Sequence, residues 1–147
     1  MPKLFRWKGL ALFPIALVMI IAACGGDSEE QQIRDAFAEL GVSVSDGLPE
    51  GFPAELDIPN ADLQLGASEE VDGITSLSAT WLSDQSEEEL SAYLEKAFTD
   101  LGYTVDSFIP GSLNAIAADG TPTGSAFIFP VEGEDRVSVT VIWNVAI

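Results

Sequence analysis

From Arg136 to Val145 the chain alternates: Val137, Val139, Val141, Trp143 and Val145 occupy one set of positions, and Arg136, Ser138, Thr140 and Asn144 the other. Successive side chains of an extended strand point to opposite faces of a sheet, so the pattern predicts a long, half-buried strand. Ile142 alone interrupts the polar side. Such a strand needs neighbours with the same alternation and an apolar layer over its inner face. Ile74 to Leu82 fits as a neighbour, with Thr75, Leu77, Ala79 and Trp81 on one side and Ser76, Ser78 and Thr80 on the other. Asp72-Gly73 supplies turn chemistry for a hairpin joining it to Leu63–Ala67.

The covering layer is also readable. Ser86 is placed as an N-cap with Glu89 three residues on, and Glu87, Glu88 and Glu89 sit at the positive end of the helix dipole. Leu90, Leu94, Ala97, Phe98 and Leu101 form an apolar stripe ended by Gly102, with Tyr93 at its edge. Period two then resumes. Tyr103–Ile109 and Leu113–Ala118 read as strands around a Pro110-Gly111 turn; Ser125–Val131 is a third, nearly continuous in apolar residues. The expected fold class is α+β: one main helix packed on a mainly antiparallel sheet of about five or six strands, in two layers.

Upstream the pattern is different. Ser28 with Gln31 reads as a capping box, and Ile33, Phe37 and Leu40 give a short helical stripe before Gly41. Leu48-Pro49, Phe52-Pro53 and Ile58-Pro59 follow, in a stretch suited neither to helix nor to a central strand. The expected organisation is a leader over 1–23, an acidic tether with a possible short helix and proline-rich lead-in over 24–60, and a globular domain over 61–147.

The leader carries an address. Lys3, Arg6 and Lys8 precede an apolar run from Leu10 to Ile21, and Ile21-Ala22-Ala23-Cys24 closes it. This arrangement resembles the lipobox of bacterial lipoproteins. The resemblance implies cleavage between Ala23 and Cys24 and a diacylglycerol on the Cys24 thiol, with the protein held at the cell membrane or outer membrane and facing the periplasm or exterior. Two chains, at about 0.8 kcal/mol per buried methylene, anchor stably where one is marginal. A spanning helix is the weaker reading, since the run from Gly9 to Ala23 is about 15 residues against the roughly 20 required and contains Pro14. Ordinary signal-peptidase cleavage would leave the chain's single cysteine as a lone exported thiol. Leu48-Pro49-Glu50-Gly51-Phe52-Pro53, Ser86-Glu87-Glu88-Glu89 with Tyr93, and Gly102-Tyr103 together resemble small envelope lipoproteins of unknown function. That likeness implies a domain layout and lends no functional residue.

Charge narrows the partners. All 24 acidic residues follow Cys24, against Arg34, Lys96 and Arg136, leaving a net charge of about −21 on that part. Such a field repels nucleic acid and anionic lipid and attracts cations and basic partners. Chemistry is narrowed further by what is missing. With no histidine and one cysteine, Ser-His-Asp and Cys-His catalysis and a usual zinc site are excluded. Lys96 has Tyr93 three residues before it, so Ser-x-x-Lys is absent, and no phosphate or dinucleotide fingerprint occurs. Paired carboxylates for glycoside hydrolysis would need a cleft that a small domain of this kind seldom offers. The expectation is a protein that is not an enzyme and takes no resident cofactor.

Calcium is the one ion left open by composition, through Glu69-Glu70 with Asp72 or through Glu132, Glu134 and Asp135; neither set is an EF-hand loop. Trp81 and Trp143 lie on the inward side of their strands, where packing is the expected role rather than ligand stacking. Two function classes follow. The first is an interaction module presenting Ser76, Ser78, Thr80, Ser138, Thr140 and Ile142 to an envelope protein. The second is a small-ligand or divalent-cation binding protein.

Overall fold

A computed structural model describes residues 27–107 and 109–146; the expected leader, with Ala23 and Cys24, lies outside them. Helix α1 (Asp27–Glu39) leads into β1 (Val42–Ser45). After a 3-10 turn at Ala54–Leu56 come β2 (Asp62–Val71), β3 (Ile74–Ser83) and helix α2 (Glu87–Asp100). β4 (Thr104–Asp106), β5 (Ser112–Ile116), β6 (Pro122–Pro130) and β7 (Val137–Ala146) complete the chain. The strands form one seven-stranded sheet in the order β1-β2-β3-β7-β6-β5-β4, with every pair antiparallel. This is the α+β class with a sheet-dominated core, and it has seven strands where five or six were expected.

Two meanders, β1-β2-β3 and β4-β5-β6-β7, meet where β7 lies against β3 in unbroken register from Ile74↔Ala146 to Ser83↔Val137. The β2–β3 hairpin turns on Asp72 and Gly73, both at positive φ (53° and 78°), which gives the primed two-residue turn that matches strand twist. Both sheet edges are short, β1 with four residues and β4 with three, which limits edge-to-edge pairing.

α2 carries the chain from β3 to the far edge strand β4, lying against β4, β5 and β6. Its capping box is formed: Ser86 Oγ accepts from the Glu89 amide at 3.2 Å, and Glu89 Oε2 accepts from the Ser86 amide at 3.0 Å. The cap contributes about 1 kcal/mol, whereas the buried Leu90, Leu94 and Phe98 contribute roughly 1.5–3 kcal/mol each. Packing therefore holds the helix, and the cap sets its start. Phe98 stacks on Trp143 with centroids 6.2 Å apart, and Tyr103 meets the same indole edge-on at 5.1 Å.

The proline-rich stretch is part of this layer. Phe52, Leu56 and Ile58 are buried in the main core with Trp81, Leu77 and Ala79, and Phe52 lies 6.0 Å from Trp81. Close backbone approach makes this possible at Gly66, where an added Cβ would stand 2.1 Å from the Gly47 carbonyl oxygen. Tyr93 Oη donates to the carbonyls of Asp57 (2.7 Å) and Glu55 (3.2 Å), tying α2 to the same segment. The packed unit therefore begins well before the expected boundary at residue 61. Aperiodic segments bury isolated side chains that no period reveals.

α1 lies on the opposite face. Phe37 packs with Val42, Ala67 and Val44 in a second cluster, and the register Val44↔Ala67↔Ser78 puts these residues on the side away from Leu77 and Ala79. Three expectations fail here. Ser28 is inside α1 rather than capping it. Leu40 is 65% exposed, because the helix ends at Glu39 and Leu40 turns toward β1. Val145 shares a face with Trp143 but is largely exposed at the strand's end.

Candidate functional site

The sheet face away from α2 is assembled by register. Across the middle of the sheet, Ala67, Ser78, Ile142, Ser125 and Asn114 stand side by side. The next row holds Leu65, Thr80, Thr140, Phe127 and Ser112, and beyond it Leu82, Ser138 and Phe129. Ser76 and Asn144 form a row on the other side. The sheet brings all six expected face residues, Ser76, Ser78, Thr80, Ser138, Thr140 and Ile142, onto this one surface.

Two of them are not presented. Thr80 and Thr140 are 5% and 3% exposed and share a hydrogen bond of 3.0 Å between their Oγ1 atoms. Neighbouring bulky side chains shade them, so they act as a buried polar seam. Nor is the face as polar as β3 and β7 alone suggest. Leu65, Leu82 and Phe127 stand half-buried on it, and Phe129 is 38% exposed. The rings of Phe127 and Phe129 lie 6.5 Å apart and nearly parallel. The missed signal was parity within Ser125–Val131: with Ala126 and Ile128 inward, Phe127 and Phe129 must point out.

Two properties distinguish this surface. First, β3, β7, β6 and β5 contain no Asp, Glu, Lys or Arg, in a chain with 24 acidic residues. Second, six of its polar groups pair laterally: Ser76 Oγ donates to Asn144 Oδ1 at 2.7 Å and Ser125 Oγ to Asn114 Oδ1 at 2.9 Å, besides the threonine pair. Covering polar groups already paired avoids the roughly 1–3 kcal/mol cost of leaving each one buried and unsatisfied.

Other candidate sites are less developed. Trp81 and Trp143 are core residues, 1% and 7% exposed, and the Trp81 indole N–H donates to Asp57 Oδ1 at 3.3 Å. Glu89 is used in the α2 cap. Among the described residues no group of three or more His, Cys, Asp or Glu side chains gathers at metal-binding distance; this covers Glu69, Glu70 and Asp72 as well as Glu132, Glu134 and Asp135. An open depression of about 440 Å³ lies between α1 and β1, lined by Arg34, Asp35, Ala38, Val42 and Val44 among others. Arg34, on its lining, pairs with Asp46. Burial and the nearby Asp57 carboxylate push the Tyr93 phenol above its ordinary range, consistent with a structural donor. No described helix is long and apolar enough to cross a membrane.

No family model matches the chain. A search of curated proteins finds no match either.

Proposed function

We propose that this chain is a lipid-anchored envelope lipoprotein whose domain is a non-catalytic protein-interaction module. The docking surface is the sheet face formed by β3, β7, β6 and β5. The observation that carries the reading is the charge-free surface of those strands, crossed by three lateral polar pairs and left uncovered by α1 and α2 among the described residues. Interface centres are depleted in charge and enriched in aromatic residues, as here around Phe127, Phe129 and Ile142. The lipobox-like Ile21-Ala22-Ala23-Cys24 supports tethering at a membrane, with α1 following closely. The ligand- or cation-binding alternative has less support: the depression between α1 and β1 is open, and among the described residues no carboxylate set gathers.

The test is quantitative crosslinking in intact cells, with the native protein against a Cys24→Ser variant. One dominant partner that is lost in Cys24→Ser is the expected result. Equal partner profiles for the two would reject the tethered-module reading.

A further inference from the structure

We infer that the partner docked on this face is a basic protein surface, one that sets an apolar knob over Ile142 and Phe127 and surrounds it with lysine or arginine. This deepens the proposed function and rests on it. The argument is one of area and charge. Four adjacent strands at about 4.8 Å spacing and about 30 Å length give a footprint of at most about 600 Å², already partly shaded by its own side chains. A stable complex uses about 800 Å² on each partner, so the partner must also engage the rim.

That rim is acidic all round. Asp106 stands on the β4 edge in register with Asn114, and Glu69 on β2 in register with Ser76. At the end bearing Phe129 the β6–β7 loop contributes Glu132, Glu134 and Asp135, beside Asp62 and Asp84, which share Arg136. At the opposite end is Asp72, in the hairpin turn. A second copy of this chain would bring the same carboxylates against one another, and an anionic lipid surface would meet the same repulsion. Basic side chains complement the collar, steer encounter and leave the dry centre to apolar contact.

The test places a photo-crosslinking benzoylphenylalanine at Phe129, an aromatic-for-aromatic exchange, in the full-length protein in cells. The same residue at Phe127 gives a second probe of the face, and at Glu95, exposed on α2, a control. The crosslinked site on the partner is then mapped to its peptide. Expected is a partner peptide with an apolar residue flanked by lysine or arginine, captured from Phe129 and Phe127 and not from Glu95. Its yield should fall at least threefold when Asp106→Lys and Glu132→Lys are combined. A mapped site that is acidic, belongs to a second copy of this chain, or is lipid overturns the inference while leaving a docking face. No crosslink from either face position removes the docking face itself, and the inference with it.

Discussion

The two faces of the sheet are made by the same strands and finished in opposite ways. On one, α2 and the proline-rich segment close over Leu77, Trp81, Val139, Val141 and Trp143, and almost every large side chain is fully buried. On the other, α1 packs on the β1–β2 corner through Phe37, and the rest of the face keeps half-buried Leu65, Phe127 and Ile142, exposed Phe129 and the buried threonine pair. Stability resides on the first face, and the second is left available. The contrast teaches that absence of charge is the informative quantity here. An exposed leucine or phenylalanine is ordinary on a protein surface, whereas a charge-free stretch of sheet in so acidic a chain is not.

Substitutions rank the two faces. Phe98→Ala, which empties the space under Trp143, should cost about 3–5 kcal/mol in denaturant unfolding. Gly66→Ala should cost about 1–3 kcal/mol, because the new methyl meets the Gly47 backbone rather than a movable side chain. Phe37→Ala should release α1 without unfolding the sheet, seen as faster amide exchange confined to α1 and β1. A global loss of protection would instead make α1 part of the main cooperative unit. Tyr93→Phe should cost about 1 kcal/mol through the lost donor. Its pH signature has a definite sign. The Tyr93 pKa is raised in the folded protein, so its contribution is complete below the ordinary phenol value of 10.0 and is lost as pH rises through the folded value. The wild type should lose more stability than Tyr93→Phe in that alkaline window.

Much of this contrast is legible in residues, and the remainder has physical causes. The alternation in β3 and β7, the Asp72-Gly73 turn and the Ser86–Glu89 cap are local signals whose geometry the fold keeps. β1 is too short for a period to register, and Phe52, Leu56 and Ile58 are buried one at a time from an irregular segment. For the candidate site, alternation placed the six residues on one face, but burial depends on neighbours across the sheet. Thr80 and Thr140 are hidden by residues from β2 and β6 whose register no single strand discloses.

The most direct test of the docking face is the partner crosslink yield of Phe127→Ser/Ile142→Ser relative to wild type, at matched levels of folded protein. Both side chains are only half-buried, so the fold should persist while the yield drops at least tenfold. An unchanged yield from a folded double variant would contradict the assignment of this face.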